Sequence, residues 1–417
     1  MEKMFKNVKK VDGEVYNALI AEKNRQNDNI ELIASENYVS KAVLEVQGSL
    51  LTNKYAEGYS GARYYGGCQN IDVIETLAKE RLKELFKCKY CNVQPHSGSQ
   101  ANMGAIRALI GHGDKILGMG LNDGGHLTHG YKLSFSGQDY EAYTYGVDVN
   151  TGLIDYDEVL KIALKVKPKL IICGASAYPR KISFKKFRKI ADEVGAYLMA
   201  DIAHIAGLCA TGLHESPIKY CDVITSTTHK TLRGPRGGII MTNSEEIAKK
   251  VDRAIFPGTQ GGPLEHIIGA KAVAFKEALD PSFSIYMRQV VANCKAFASE
   301  FKALGYKVVS NGTDNHLLLL DVKSSIGLTG KVCEDLLEEV NITINKNTIP
   351  GDMEKPMLAS GIRLGTAAMT SRGYVELDFR NVAHLIDTIL RNPRNIEAKA
   401  DVIKEVKKLN KKHQINK

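Results

Sequence analysis

Apolar residues recur along this chain in two patterns. Short continuous runs of four or five, such as Leu170–Cys173 and residues 196–200, are typical of strands buried on both faces of a sheet. Between them lie longer stretches with an apolar residue at every third or fourth position, such as residues 71–86 and Phe184–Val194, which indicate amphipathic helices. Strands that alternate with helices predict an α/β fold with a mostly parallel sheet flanked by helices.

The length and rhythm of the pattern predict more than one folding unit. At 417 residues the chain is long for a single core. Residues 1–30 show helical spacing with mixed charge and predict an N-terminal helical arm. Residues 31–280 carry the alternating pattern of a large domain. After Pro281 a shorter strand–helix–strand rhythm predicts a smaller α+β domain over residues 281–417.

Composition narrows the class of protein. Apolar residues make up 44% and charged residues 25% of the chain, which are ordinary globular values. The formal net charge is +9, and the basic tail 391–417 is the natural place to look for nucleic-acid binding. No arginine-rich tract with interleaved aromatics accompanies it, so we expect a solvated basic surface or anionic small-molecule ligands, and no nucleic acid.

The same composition predicts a cytoplasmic location. No run of about 18 apolar residues could span a membrane, and the first residues, 1–6, lack the apolar segment of a signal peptide. The eight cysteines are scattered in apolar company, which indicates reduced thiols. Cys88 and Cys91 have CxxC spacing but no second pair at a zinc-binding interval, so we expect no metal there.

A serine–glycine–serine sequence follows a predicted strand at residues 90–93 and precedes a predicted helix at 101–110. Ser97, Gly98 and Ser99 would then offer two hydroxyls and free backbone N–H groups at a helix N-terminus, which is a suitable phosphate site. The plainer alternative is an ordinary N-cap formed by Ser99.

One lysine, Lys230, lies in a polar turn between two apolar runs, residues 223–225 and 239–241. An amine that is held near cationic neighbours and away from water has a lowered pKa, which makes it a nucleophile toward a carbonyl group. Taken alone, the alternative of a solvated loop lysine is the more common one.

Further polar residues come directly after predicted strands. His126, Ser176 and Asp201 share this placement with Lys230, and ligands of parallel sheets bind at the carboxyl ends of the strands. His126 and His129 could ligate a metal, but no third ligand has a suitable spacing, so no metal is expected.

These features together predict pyridoxal phosphate. That cofactor needs an amine for a Schiff base, an anion beside its pyridine nitrogen and donors for its phosphate. Lys230, Asp201 and the Ser97–Ser99 segment supply the three. Arg363, in a strand-like stretch of the small domain, would bind a substrate carboxylate through its planar guanidinium.

The sequence resembles the serine hydroxymethyltransferase family over nearly its whole length. The resemblance rests on several ordered motifs: Ala34-Ser-Glu-Asn37, Arg63-Tyr-Tyr-Gly-Gly67, Pro95-His-Ser-Gly-Ser-Gln100, Gly125-His-Leu-Thr-His-Gly130, Ala200-Asp-Ile-Ala-His204, Thr227-Thr-His-Lys-Thr-Leu-Arg-Gly-Pro-Arg-Gly-Gly238, Pro257-Gly-Thr-Gln-Gly-Gly-Pro263 and Asn345-Lys-Asn347. It implies a fold-type I pyridoxal phosphate enzyme that transfers the hydroxymethyl group of L-serine to tetrahydrofolate, giving glycine and 5,10-methylenetetrahydrofolate. The alternative on the same fold is a folate-independent β-hydroxy amino acid aldolase.

The resemblance also implies residue roles and a homodimer with shared active sites. Catalytic residues would be Lys230, Glu57, His126, Asp201, Tyr65 and Thr228. The cofactor would be bound by Ser97, Gly98, Ser99, His126, Ser176, Asp201, His204, His229 and Lys230, with Tyr55 and Gly262 from the neighbouring subunit. Serine would contact Ser35 and Arg363, with Glu57 and Tyr65 from the neighbour, and folate would contact Glu57, Tyr64, Leu121, Gly125, Leu127 and Asn347.

Overall fold

The computed structural model describes residues 5–415, so the predictions for the first four and last two residues lie outside it. The strands are β1 (Ile30–Glu31), β2 (Gly58–Tyr59), β3 (Ala62–Arg63), β4 (Tyr90–Asn92), β5 (Lys115–Met119), β6 (Glu141–Tyr145), β7 (Leu170–Cys173), β8 (Tyr197–Asp201), β9 (Val223–Thr227), β10 (Gly238–Thr242), β11 (Lys307–Val308), β12 (Leu317–Asp321), β13 (Ile342–Thr343), β14 (Asn345–Asn347) and β15 (Gly361–Gly365).

Helices separate most of these strands. They are α1 (Lys6–Val11), α2 (Gly13–Asp28), α3 (Lys41–Gln47), α4 (Gln69–Phe86), α5 (Gly98–Leu109), α6 (Phe135–Gln138), α7 (Tyr156–Val166), α8 (Phe184–Val194), α9 (Ala206–Ala210), α10 (Glu245–Ile255), α11 (Glu265–Ala278), α12 (Pro281–Ala303), α13 (Val322–Ile326), α14 (Gly330–Glu338), α15 (Ala367–Ser371), α16 (Glu376–Arg391) and α17 (Ile396–Lys412).

Seven strands form the central sheet, in the order β4-β10-β9-β8-β7-β5-β6. The strands from β9 to β6 pair in parallel, and only β10 runs antiparallel to its neighbours β9 and β4. Alternate residues of β7 face two different cores: Ile171 and Cys173 belong to one, Leu170 and Ile172 to the other. The apolar runs therefore became strands covered on both faces, which confirms the predicted α/β class.

Capping residues set the ends of the helices that cover the sheet. The hydroxyl of Ser183 accepts a hydrogen bond from the backbone N–H of Lys186 at the start of α8, and Gly195 ends that helix in the left-handed conformation. The buried face of α8 presents Phe184, Phe187 and Ile190 to the core. Its local sequence therefore specifies both its bounds and its orientation.

A second core holds the smaller unit, built on a four-stranded sheet with the order β11-β12-β15-β14. Its residues include Phe297, Phe301 and Leu320, but also Ile30 and Leu32. Strand β1 pairs in parallel with β13, which carries the chain at residues 30–32 into the small unit. Residues 30–32 therefore pack with the small unit through a long-range strand pairing.

The boundary at residue 281 falls at the start of α12. The first half of this helix contributes Phe283 and Met287 to the large core, and its second half contributes Phe297 and Phe301 to the small one. Helix α12 thus connects the two units as one continuous element.

Two findings concern the chain as a whole. Within residues 5–415, no helix combines the length and the apolar character needed to cross a lipid bilayer. All eight cysteines are free thiols, and seven of them are buried. The basic helix α17 buries Val402 and Val406 in the small core.

Candidate active site

A cavity of about 350 Å³ opens where strands β7, β8 and β9 end, and it extends to the N-terminus of α5. Its volume is in the range of about 300–1,000 Å³ that is usual for small-molecule sites. The predicted residues that line it are Ser35, Ser97, Gly98, Ser99, His126, Ser176, Asp201, His204, His229, Lys230 and Arg363. The sheet topology therefore brings together groups that are up to 328 positions apart, from residue 35 to residue 363.

Lys230 lies in the loop between β9 and β10. The loop is closed by two backbone hydrogen bonds: Thr228 N–H donates to Gly237 O at 3.1 Å, and Gly234 N–H donates to Thr228 O at 2.7 Å. The Lys230 side chain is 8% exposed, and its amine makes no hydrogen bond to any residue of the described range 5–415. Burial, which outweighs the attraction of Asp201, lowers the pKa of Lys230 to about 8, and the charges of Arg363 and Arg236 add to this effect.

The lowered pKa predicts a pH dependence for the cofactor-free protein. We expect its rate of covalent reaction with pyridoxal phosphate to rise about tenfold per pH unit up to about pH 8 and then to level off, because only the neutral amine is nucleophilic. Stopped-flow absorbance would measure it, with Lys230→Ala as the control that shows no covalent phase. A rate that keeps rising to about pH 10.5, as for an ordinary lysine, would contradict the assignment.

The lowered pKa of Lys230 also makes the stability of the folded state depend on pH. Between about pH 8 and the ordinary value of 10.5, the unfolded chain holds the Lys230 proton and the folded chain does not. The contribution of this group to the stability of the folded state is therefore complete above pH 10.5 and is lost as the pH falls to about 8.

Asp201 ends strand β8 opposite the lysine loop and is held by three hydrogen bonds. Its Oδ2 accepts from Asn102 Nδ2 at 2.8 Å and from His129 Nε2 at 3.0 Å, and its Oδ1 accepts from the Ala203 N–H at 3.0 Å. Burial acts to raise the pKa of Asp201, but the hydrogen bond and charge of His129, with smaller effects of His126 and Asn102, hold it below the usual range. The cavity therefore contains a fixed carboxylate.

Gly174, directly after strand β7, allows the backbone there to lie close to Asp201. Its φ is +153°, and a Cβ added there would lie 2.2 Å from the carbonyl oxygen of Asp201. Only glycine allows the end of β7 to approach Asp201 this closely.

Two histidines and Asp201 form the one group of three possible metal ligands in the described chain. The sequence spacing offered no third ligand for His126 and His129, whereas the fold brings Asp201 within 4.8 Å of both. In this structure His129 Nε2 donates to Asp201, and His126 Nδ1 accepts from the Thr128 N–H at 3.2 Å. The arrangement therefore orients a carboxylate.

The serine–glycine–serine segment does begin a helix, α5. The N-cap is Ser97, whose hydroxyl accepts from the Gln100 N–H at 3.2 Å, two residues earlier than the alternative N-cap at Ser99. The backbone N–H groups of Gly98 and Ser99 lie in the first turn, where no intrahelical acceptor exists. Such a turn binds anions.

His229 supplies an independent sign that this end of the cavity receives a ligand. Its Nδ1 is buried and has no hydrogen-bond partner in the structure. Burial, with the charges of Arg236 and Lys230, lowers the pKa of His229 to about 3, so its ring is neutral at physiological pH. Buried polar atoms are rarely left unpaired. A phosphate held by this ring and the α5 N-terminus fits both observations.

Arg363 projects from the small-domain strand β15 into the same cavity. Its Nη1 donates to Ser176 O at 2.8 Å and its Nε donates to Asn345 Oδ1 at 3.2 Å. Burial lowers the pKa of Arg363 to about 10, so it stays positive at neutral pH. The guanidinium links the two domains and keeps Nη2 for a ligand.

A second cavity of about 300 Å³ adjoins the first. The two share His126, Ser176 and Arg363. Four of the six residues predicted to contact folate line this second cavity: Leu121, Gly125, Leu127 and Asn347.

Besides Thr228, five predicted site residues lie elsewhere in the protomer. Tyr55, Glu57, Tyr64, Tyr65 and Gly262 line neither cavity. The hydroxyl of Tyr55 donates to Glu57 Oε1 at 3.4 Å, the rings of Tyr55 and Tyr65 are 5.1 Å apart, and the Tyr55 ring leaves no room for a Cβ at Gly262. Except for Tyr64, they form a separate surface cluster, which we call the tyrosine cluster (Tyr55, Glu57, Tyr65 and Gly262).

The predicted catalytic residue Thr228 does not line the cavity of its own protomer. Thr228 is fully buried, and its hydroxyl donates to the carbonyl oxygen of Pro235 within the lysine loop. Successive residues at the end of a strand point in opposite directions, so it is Thr227 that lines the cavity.

Some residues that build the site were not predicted from sequence. Asn102 is hydrogen-bonded to Asp201, Thr128 and Thr225.

Lys271 is fully buried near the end of the cavity where the phosphate is expected. The Lys271 amine donates to the carbonyl oxygens of Val93, Pro95 and Gly238 at 2.6, 3.0 and 2.8 Å. It thereby ties together the segments on either side of the cavity. The one sequence feature that could have pointed to these residues is Asn102, a polar residue on the apolar face of α5.

The chemistry of the cavity fits one cofactor closely. Pyridoxal phosphate requires an amine that can bond to its aldehyde, a permanent anion near its ring nitrogen and an anion site for its phosphate. Lys230, Asp201 and the α5 N-terminus offer these on a mostly parallel sheet. The protein is therefore a pyridoxal phosphate enzyme of fold type I.

A family model described as "Serine hydroxymethyltransferase" matches residues 8–386, and the chain belongs to this family. It is 61% identical to the serine hydroxymethyltransferase of Onion yellows phytoplasma (strain OY-M) over 387 residues, covering 92% of this chain and 93% of the relative. The corresponding protein of Phytoplasma australiense is 60% identical, over 91% of this chain and 93% of its own length. That of Mycoplasma mobile (strain ATCC 43663 / 163K / NCTC 11711) is 59% identical, over 93% of both chains.

These matches confirm the family, fold class and cofactor predicted from the motifs. Members of the family use pyridoxal phosphate and transfer the hydroxymethyl group of serine to tetrahydrofolate.

Proposed function

We propose that the two adjoining cavities are the site at which this chain converts L-serine and tetrahydrofolate to glycine and 5,10-methylenetetrahydrofolate. The first cavity would hold pyridoxal phosphate and the second would hold the folate. The observation that carries the proposal is their shared wall: His126, Ser176 and Arg363 line both. A one-carbon unit released at that wall would lie beside the second ligand.

Bound pyridoxal phosphate supplies an aldehyde for covalent attachment and a ring that accepts electrons from the Cα of an amino acid. The protein supplies the rest. Lys230 would hold the aldehyde carbon, and the carboxylate of Asp201 would keep the ring nitrogen protonated. The α5 N-terminus, Ser97, Ser99 and His229 would bind the phosphate.

Three side chains would orient the ring. Burial lowers the pKa of His126 to about 4, so its imidazole is uncharged and can lie flat against a second ring. Ser176 and His204 would hydrogen-bond the phenolic oxygen side of the cofactor. The orientation matters, because the breaking bond must align with the ring's π system.

Arg363 and Ser35 would bind the carboxylate of serine. The bonds of Arg363 to Ser176 and Asn345 fix the plane of its guanidinium before a ligand arrives. Leu121 and Leu127, which are 38% and 48% exposed, offer an apolar wall for the folate ring system in the second cavity.

The proton chemistry would come from a second copy of the chain. Serine cleavage requires a group that handles the hydroxyl proton within hydrogen-bond reach. Glu57 and Tyr65 suit this role but lie in the tyrosine cluster, outside the cavities of their own protomer. Tyr64, beside the cluster, is 77% exposed, an unusual position for a large aromatic side chain.

The N-terminal helices also favour a homodimer. Neither α1 nor α2 buries a single residue, and Val11 and Val15 are 89% and 49% exposed. A 16-residue helix without a buried face is stabilised by packing against something else. In a homodimer the tyrosine cluster of one protomer would complete the cavity of its partner.

Dependence on tetrahydrofolate separates this function from that of an aldolase. We expect serine cleavage to increase strongly when tetrahydrofolate is added, because the second cavity holds an acceptor for the one-carbon unit. The measurement is glycine formation from serine with and without tetrahydrofolate. Equal rates would favour the folate-independent aldolase and would remove the folate assignment.

A cytoplasmic location completes the proposal. It is supported by the eight free thiols, which a reducing compartment preserves.

A further inference from the structure

Behind the cavity lies a second buried lysine, Lys271 of helix α11. Within residues 5–415, Lys230 and Lys271 are the two lysines that are buried, with exposures of 8% and 1%. Their amines differ, because that of Lys230 has no hydrogen bond in this range and that of Lys271 donates to three carbonyl oxygens. Lys271 lines neither cavity, so it does not touch a ligand there.

The three carbonyl acceptors belong to the two segments that form the phosphate end of the cavity. Val93 and Pro95 lie in the irregular stretch that joins β4 to α5, and Gly238 begins β10, directly after the lysine loop. The Gly238 N–H also donates to Pro95 O at 3.0 Å, and a Cβ on Gly238 would lie 2.2 Å from the carbonyl oxygen of Ser97. The Lys271 amine therefore lies where the lysine loop meets the chain that enters the phosphate-binding turn.

The hydrogen bonds of Lys271 favour a charged amine. Burial lowers the pKa of Lys271 to about 7, and the charge of Glu75 opposes this effect. Three carbonyl oxygens at one nitrogen require three N–H groups, which only the ammonium form has, so the hydrogen bonds also oppose the loss of the proton.

This charge has no carboxylate partner of its own. Among residues 5–415, Lys271 forms no ion pair, and the oxygens of Glu75 are hydrogen-bonded to Arg63 and Gln94 instead. Buried charges are rarely left unpaired. An anion at the first turn of α5 would supply a compensating negative charge nearby.

We propose that Lys271 is a positioning residue for the phosphate end of the cavity. Its ammonium group holds Pro95 and Gly238 together. This keeps the free N–H groups of Gly98 and Ser99 in position for a phosphate, and the positive charge attracts that anion. The inference rests on the proposed placement of the cofactor phosphate at the N-terminus of α5. Lys271 then contributes to the affinity for pyridoxal phosphate and much less to the affinity for pyridoxal, which has the same ring without the phosphate.

Two variants test the proposal. Lys271→Met removes the charge and the three hydrogen bonds and keeps a side chain of similar length. Asn293→Leu is the matched control, because Asn293 is fully buried and its Nδ2 donates to Thr370 Oγ1 and Tyr374 O, both at 2.9 Å, outside the two cavities. It reports the general effect of losing a buried donor.

The first readout is the ratio of the dissociation constants for pyridoxal and pyridoxal phosphate. We expect this ratio to be about tenfold smaller in Lys271→Met than in the wild type, the scale of hydrogen bonds from a charged group, and unchanged in Asn293→Leu. A folded Lys271→Met protein with the wild-type ratio would overturn the proposal, even if both ligands bind more weakly, because it would show a general structural role.

The second readout does not depend on the folding of Lys271→Met. In cofactor-free Lys230→Ala protein with ¹³C-labelled lysine side chains, Lys271 is the buried lysine that remains. We expect inorganic phosphate to raise the pKa of Lys271 by about one pH unit. An unchanged pKa at a phosphate concentration that raises the thermal midpoint would overturn the proposal. A wild-type protein that binds pyridoxal as tightly as pyridoxal phosphate would instead refute the proposed phosphate site, which keeps the two results distinguishable.

Discussion

Replacing Lys230 by alanine is expected to reduce serine cleavage in the presence of tetrahydrofolate by about a thousandfold or more. The Lys230 amine is buried, unbonded within the described chain and already shifted to a pKa of about 8. No other lysine lines the cavity, so its covalent role has no substitute. Losses of this size are usual when a covalent catalytic group is removed.

Lys276→Ala provides the matched control, because Lys276 is an exposed lysine on α11. It should retain wild-type activity and the wild-type thermal midpoint. Substantial activity in a folded Lys230→Ala protein would assign the covalent role elsewhere.

Mixing two inactive variants is expected to restore about a quarter of wild-type activity. Glu57→Gln should lose about 10²–10⁴-fold by removing the proton-handling carboxylate, and Lys230→Ala is inactive for the reason above. In a hybrid dimer, the Lys230 of one chain would meet the Glu57 of the other and form one intact site. Half of randomly reassociated dimers are hybrids, with one intact site of two, which gives about one quarter.

A pair of variants in one cavity serves as the control for this experiment. Lys230 and Arg363 line the same cavity, so mixing Lys230→Ala with Arg363→Ala should restore nothing. Glycine formation after joint unfolding and refolding would measure both mixtures. No recovery with Glu57→Gln, when refolded wild type is active, would show that Glu57 serves its own protomer and would refute the shared site.

Local sequence patterns predicted the strands and helices, and most of the site residues that lie at the ends of the strands. The run Leu170–Cys173 and the helix Phe184–Val194 have the predicted bounds. The Ser97–Ser99 segment and Lys230 lie in one cavity because parallel strands end at the same edge of a sheet. Such features depend on neighbouring residues, which a sequence displays directly.

Contacts between distant segments were not predictable in this way. Asn102 meets Asp201 across 99 positions, and His204 meets His316 across 112. Neither pair has a local pattern that connects it. The pairing of Ile30 with Ile342 likewise joins segments that are 312 positions apart.

Orientation at the end of a strand was a further limit. Thr227 and Thr228 are adjacent hydroxyl residues, and the family resemblance implied a catalytic role for Thr228. The structure turns the hydroxyl of Thr228 to Pro235 inside the loop and leaves Thr227 at the cavity. A shift of one residue reverses the side-chain direction, and only the backbone decides it.

The most direct test of the central claim is the absorbance spectrum of the purified protein after incubation with pyridoxal phosphate and removal of the excess. A visible band of lysine-bound cofactor should persist in the wild type and in Lys276→Ala, and it should be absent in Lys230→Ala. A wild-type protein that never acquires the band, or a Lys230→Ala protein that keeps it, would contradict the assignment of Lys230 as the cofactor-binding residue.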